Sequence, residues 1–120
     1  MANVFKSAML DVTTTDLTTL ITVPAADPGA SPPVAPTTAV IKSILVCNDS
    51  ANTTLLDIEV LRSSATFEVF KEKSVATKTT TELLEQPLVL QESDVMKVQA
   101  NAANQVHITA SYMEITKGQL

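Results

Sequence analysis

The chain has no tryptophan, a single cysteine and a single histidine among its 120 residues, only two glycines, and just three Phe and one Tyr as aromatics. Each shortage excludes something. Cys47 cannot form a disulfide within the chain, which fits synthesis in a reducing cytoplasm. Cys47 and His107 lie about 60 positions apart, and between them they cannot furnish the three or four converging ligands of a zinc site. Gly29 and Gly118 are too few to build a glycine-rich phosphate cradle. The opening Met1-Ala2-Asn3-Val4-Phe5-Lys6 has no basic segment followed by an apolar stretch, so no secretion leader is read there. No apolar run approaches the ~20 residues of a membrane-spanning helix. With a net charge of −5 and eight scattered Lys/Arg, the chain lacks the basic stripe that displaces counterions from nucleic acid or holds an anionic membrane. Neither is expected as a partner.

What the chain does have is hydrophobic content, 45% of residues. That is too apolar for disorder, and a chain of this length hides roughly 65% of its unfolded surface, enough for one domain with one core. With so few aromatics, the core must be built mostly from Val, Ile, Leu and Ala.

The apolar residues recur mostly at every second position, the period of a half-buried strand. Strands are expected near Phe5–Val12 and Thr18–Val23 around a turn at Asp16, since β-branched Thr favours extended backbone. Five of the six prolines fall between Pro24 and Pro36, so residues 24–38 read as a proline-rich surface loop within one domain. Ala39–Asn48 is a dense apolar run, predicted as a central strand buried on both faces for part of its length, with Cys47 a small buried hydrophobe at its end. Asn48–Thr53 is a turn, and its two N-x-S/T patterns read as turn residues. Leu56, Ile58 and Val60 alternate with Asp57 and Glu59, and Phe67 and Val69 alternate with Glu68; a turn at Arg62–Ala65 would join them as a hairpin. Lys71–Thr81 is predicted to cross one end of the sheets. Leu83-Leu84 and Leu88–Leu90 form short pieces around Pro87. Val95–Ala100 alternates again. Val106–Thr116 places Val106, Ile108, Ala110 and Tyr112 on one face, and Met113 and Ile115 then break the pattern, suggesting a bulge or a section covered on both sides. The expected fold is all-β, an antiparallel sandwich of about eight short strands, jelly-roll-like or Ig-like, forming a single domain over residues 1–120.

Candidate chemistry is sparse. His107 is the only imidazole, on the polar face of the last strand, with no nucleophile placed beside it. Asp57 and Glu59 sit two apart on one strand face, but a glycosidase or calcium site needs further acids or carbonyls nearby, and a solvated face accounts for the pair. No catalytic, cofactor or metal residues are assigned, and an enzyme is not expected.

The passages Thr18–Pro24, Ala39–Ser50, Glu82–Leu90, Asp94–Ala100 and Ser111–Ile115 together resemble small β-rich virion structural proteins of tailed bacteriophages, those of cyanobacterial and other marine hosts above all. The likeness runs over nearly the whole chain; the insertion at Ala26–Pro36 departs from it. The resemblance implies an accessory component of the particle (capsid decoration, neck or tail) that is made in the bacterial cytoplasm and binds other virion subunits, as a homo-oligomer. Contacts are then expected from Asn3, Val4, Phe5 and Lys6, from Asp27, Pro28, Ser31, Pro32, Pro33 and Pro36 of the loop, and from Lys117 and Leu120 of the tail. The alternative is a carbohydrate- or receptor-binding module of a tail or fibre. It is weakened by the absence of Trp and by Tyr112, the lone Tyr, which is predicted to face inward.

Overall fold

A computed structural model describes residues 2–116. Its strands are β1 (Ala2–Asp11), β2 (Thr18–Thr22), β3 (Thr37–Asn48), β4 (Thr54–Arg62), β5 (Ala65–Val75), β6 (Thr79–Glu82), β7 (Leu88–Leu90), β8 (Val95–Ala100) and β9 (Val106–Thr116). They form two antiparallel sheets. The first, sheet A, runs β1-β9-β3, with β6 and β7 sharing the far side of β3; the second, sheet B, runs β2-β8-β4-β5. β6 pairs with Leu45–Asn48 and β7 with Ala39–Ile41, so the two short pieces act as one interrupted strand. Counted this way there are eight strands. Every connection crosses between sheets except the β4–β5 hairpin and the β6–β7 break. That is the wrapping of a jelly roll, whereas an Ig-like sandwich keeps several hairpins within a sheet.

The core lies between the sheets. Ile41, Ile44 and Val46 of β3, Leu56 and Ile58 of β4, Met96 of β8 and Ile108 of β9 are all fully or nearly fully buried. Each such side chain contributes about 1.5–3 kcal/mol of burial free energy, so aliphatic packing alone holds the layers. Leu90, Leu83 and Val75 close the sides.

Several expectations need correction. β3 is not buried on both faces: its buried positions are Thr37, Ala39 and Ile41, then Ile44, Val46 and Asn48. The parity changes because the pairing with β9 slips between Ile41 and Ser43, leaving Lys42 as the extra residue of a bulge. Cys47 therefore points outward and is half-exposed. β9 itself keeps strict alternation, since Glu114 takes the buried position after Tyr112, and Met113 and Ile115 face out. Lys71–Val75 continues β5, and only residues 76–78 cross to sheet A, where β6 begins. Leu83-Leu84 follows β6 as irregular chain. Phe67 pairs with Val60, but it lies on β5 at the edge of sheet B and is 57% exposed.

Candidate assembly interface

Among the described residues, β1 lies at the edge of sheet A and pairs with β9 alone, from Ala2 opposite Thr116 to Asp11 opposite His107. Its opposite side presents backbone N–H and C=O groups that no other described strand pairs with. Natural edges are usually shortened, charged, bulged or broken by proline. β1 is ten residues long, contains no proline and has no register shift. Phe5 is 77% exposed and Met9 76% exposed, both directed away from the core side marked by Ala8, Leu10 and buried Val12.

The register extends this apolar character across the sheet. Phe5 pairs with Met113, Met113 with Val40, and Val40 with Val89, so four apolar side chains form one row on the outer face from β1 to β7. The next row is Ser7, Ser111 and Ser43, and the one beyond is Met9, Thr109 and Leu45. Directly opposed residues share a face, so these rows are continuous. Charge reaches the face at its borders and its bulge: Asp11 and His107 at one end, Glu82 on β6, and Lys42.

The termini of the described chain and the proline-rich loop converge at the other end. Ala2 and Thr37 both pair with Thr116, and the Thr37 and Thr116 hydroxyls are 3.1 Å apart. Thus the expected contact residues Asn3, Val4, Phe5 and Lys6 enter the sheet beside the end of β9 and the start of β3. Lys117 and Leu120 lie outside the described residues. The loop is a small hairpin of its own, in which Asp27 and Val34 exchange both backbone hydrogen bonds at 2.9 Å. Asp27, Pro28, Ser31 and Pro32 are exposed, Pro33 and Pro36 half-buried, and Ala35 fills the core side. The Ala26 N–H donates to the Glu92 carboxylate, which ties the loop to the β7–β8 turn.

Lys6 has a structural partner. Its ammonium sits 2.9 Å from the Glu114 carboxylate, which is largely buried, and this hydrogen bond holds the lysine protonated above its usual range. Sequence reasoning missed this pair because a glutamate in a core register looks like a break in the pattern.

Elsewhere the polar groups brace the fold. The Asp57 carboxylate accepts the Glu72 N–H at 2.6 Å and the Lys71 ammonium at 3.3 Å. It thereby secures an irregularity of β5 in which Glu72 has φ 51°. His107 stands exposed between Asp11 at 3.3 Å and Asp49 at 4.0 Å. Asp94, not singled out from sequence, has a 1% exposed side chain and takes both Arg62 Nε (2.8 Å) and a terminal guanidinium nitrogen (2.6 Å), plus the Gln91 N–H (2.7 Å). The guanidinium bonds hold the Asp94 carboxyl below its ordinary value against the opposing effect of burial. Among the described residues, no cluster of three or more His, Cys, Asp or Glu is placed to hold a metal ion.

No family model and no curated protein matches the chain. Among solved structures, it is similar to a chain in a structure of infectious bursal disease virus, Gt strain, at 12% identity and a TM-score of 0.47. That alignment covers 97% of this chain and 31% of the other, so this chain spans about a third of its neighbour's length.

Proposed function

We propose that this protein is a structural component of a virus particle, and within that class an accessory subunit of a tailed bacteriophage (capsid decoration, neck or tail). It works by protein–protein contact and carries out no catalysis. The observation that carries this reading is β1: a long, unbroken edge strand whose free side and outward Phe5 and Met9 are left uncovered. An edge of this kind, kept without proline or bulge, suits pairing with another subunit. The jelly-roll wrapping is compatible, since that architecture recurs in viral capsid domains, although it also serves lectins and enzymes. The resemblance of the strand and turn passages to tailed-phage virion proteins supplies the finer assignment. Its partners would be other virion subunits and further copies of itself, with no role for nucleic acid or membrane.

Mass spectrometry of purified particles, followed by localisation in the particle by cryo-electron microscopy, tests the proposal. The chain is expected in stoichiometric amounts at a repeating position on the head, neck or tail. Its absence from intact particles would overturn the reading.

A further inference from the structure

The outer face of sheet A has a property that the edge of β1 does not explain. Its apolar side chains extend over strands well inside the edge: Val40 on β3 lies two strands in from β1, and Val89 on β7, 53% exposed, lies on the far side. We propose that this face is where two copies of the chain pack, sheet A against sheet A. The inference rests on the assembly reading above and names the first partner as the chain itself.

Charge favours a second copy as the occupant. A chain of net charge −5 that meets itself over most of its surface brings like charges together, and like-charge juxtaposition is strongly penalised at interfaces. The interior of this face is the exception: a field of apolar and hydroxyl side chains reached only by Lys42 and by the Glu82 carboxylate, which accepts from the Ser43 hydroxyl at the β6 border. Shape favours it as well. The Phe5 and Met9 rows are ridges on either side of the Ser111 row, and rows recur every two residues, about 6.6 Å. A copy displaced by one row sets a ridge over a serine trough, the interdigitation by which stacked sheets approach to about 10 Å. Size is sufficient. Four strand positions about 4.8 Å apart and nine residues at about 3.3 Å each give roughly 550 Å² per copy, hence roughly 1,100 Å² in a pair, just above the lower limit of a specific interface.

The test uses the full chain in solution. Light scattering and sedimentation over a concentration series should show a dimer. Val40→Glu and Val89→Glu, each checked for fold by circular dichroism and thermal melting, should weaken it by at least about 30-fold, since each sets a carboxylate in the apolar row that the second copy covers. Glu59→Lys, on the outer face of sheet B, should leave it unchanged. Val89→Glu guards against misfolding, because Val89 is already exposed. A strict monomer at about 100 µM, a concentration that detects even weak pairing, overturns the proposal. So does a dimer that withstands either folded variant, because pairing along the β1 edge would not sense Val40 or Val89. The two readings fail separately: a chain absent from particles that still dimerises through this face sinks the virion assignment alone, and a virion protein that stays monomeric sinks this one alone.

Discussion

The two sheets share one core yet turn very different outer faces to the surroundings. Across sheet B, Thr19 pairs with Lys97, Lys97 with Glu59, and Glu59 with Glu68, with Asp57 and Gln99 forming the next row. Val95 and Leu61 near one end, and Leu55 near the other, interrupt that polar surface. Across sheet A, the row in the corresponding position is Phe5, Met113, Val40 and Val89. Both faces come from antiparallel strands of the same pleat, so backbone geometry does not explain the contrast. A solvated face is free to fill its outward positions with Lys, Glu and Asp, whereas exposed large apolar side chains in register mark a surface meant to be covered. On the proposed reading the charged sheet is the face left to water and the apolar sheet is the face a second copy covers.

The largest expected effect separates the inner from the outer side of the apolar sheet. Ile41→Ala should cost about 2–5 kcal/mol, because it opens a cavity in a fully buried position. Val40→Ala, the adjacent residue on the outer side, should cost less than about 1 kcal/mol when unfolding is followed in dilute denaturant titrations. Equal losses would mean the face is already covered within the monomer.

Next comes Asp94, the acid that water does not reach. Asp94→Ala leaves the Gln91 N–H and the Arg62 guanidinium without their acceptor, and the expected loss is about 2–3 kcal/mol in chemical denaturation. Because the Asp94 carboxyl is held below its ordinary value of 3.8, its contribution is fully present above that pH and is lost as pH falls through the lower folded value. Acid titration of Asp94→Asn should therefore lack this component of the wild-type destabilisation; superimposable profiles would sever the link to Arg62.

Asn48→Ala should follow at about 2 kcal/mol. Its buried amide donates to the Asn52 and Val75 carbonyls and accepts from both Ser50 N–H and Ser50 Oγ, and thermal melting will read the loss. The smallest effect belongs to the charged face. Glu59→Gln should shift stability by no more than about 0.5 kcal/mol, as at most surface positions. A loss several times larger would mean that sheet B is not simply solvated.

Much of this was legible in the residues. The period-two alternation places β4, β8 and β9 with the right inward faces, and the turn at Arg62–Ala65 appears as a two-residue hairpin. There Ser63 and Ser64 have φ of 50° and 70°, values for which Asn-Gly is the usual signal, so the turn type could not be read from two serines. The strand neighbours were also hidden, because β1 with β9 and β2 with β8 pair across nearly the whole chain. The bulge at Lys42 was concealed by chemistry. With Val40, Ile41, Ile44, Leu45 and Val46 all apolar, a change of parity and a strand buried twice look alike. The outer apolar face left a trace in each departure from alternation: consecutive Val4-Phe5, Val40-Ile41, Leu45-Val46 and the off-pattern Met113 and Ile115. Read singly these suggest irregular strands, and only the cross-strand register aligns them into rows.

The jelly-roll wrapping has a kinetic consequence. Apart from β4 with β5, no strand finds its main partner next to it in the chain, so most pairings require a long loop to close before any contact rewards it. The chain should fold on the millisecond-to-second scale typical of high-contact-order β proteins, with the β4–β5 hairpin as the one local seed. The stretch that completes sheet A, β9, is also made after the other eight strands. Until it emerges, β1 lacks the neighbour it pairs with, and the nascent molecule carries a sticky ribbon that β9 alone among these strands can hold in place.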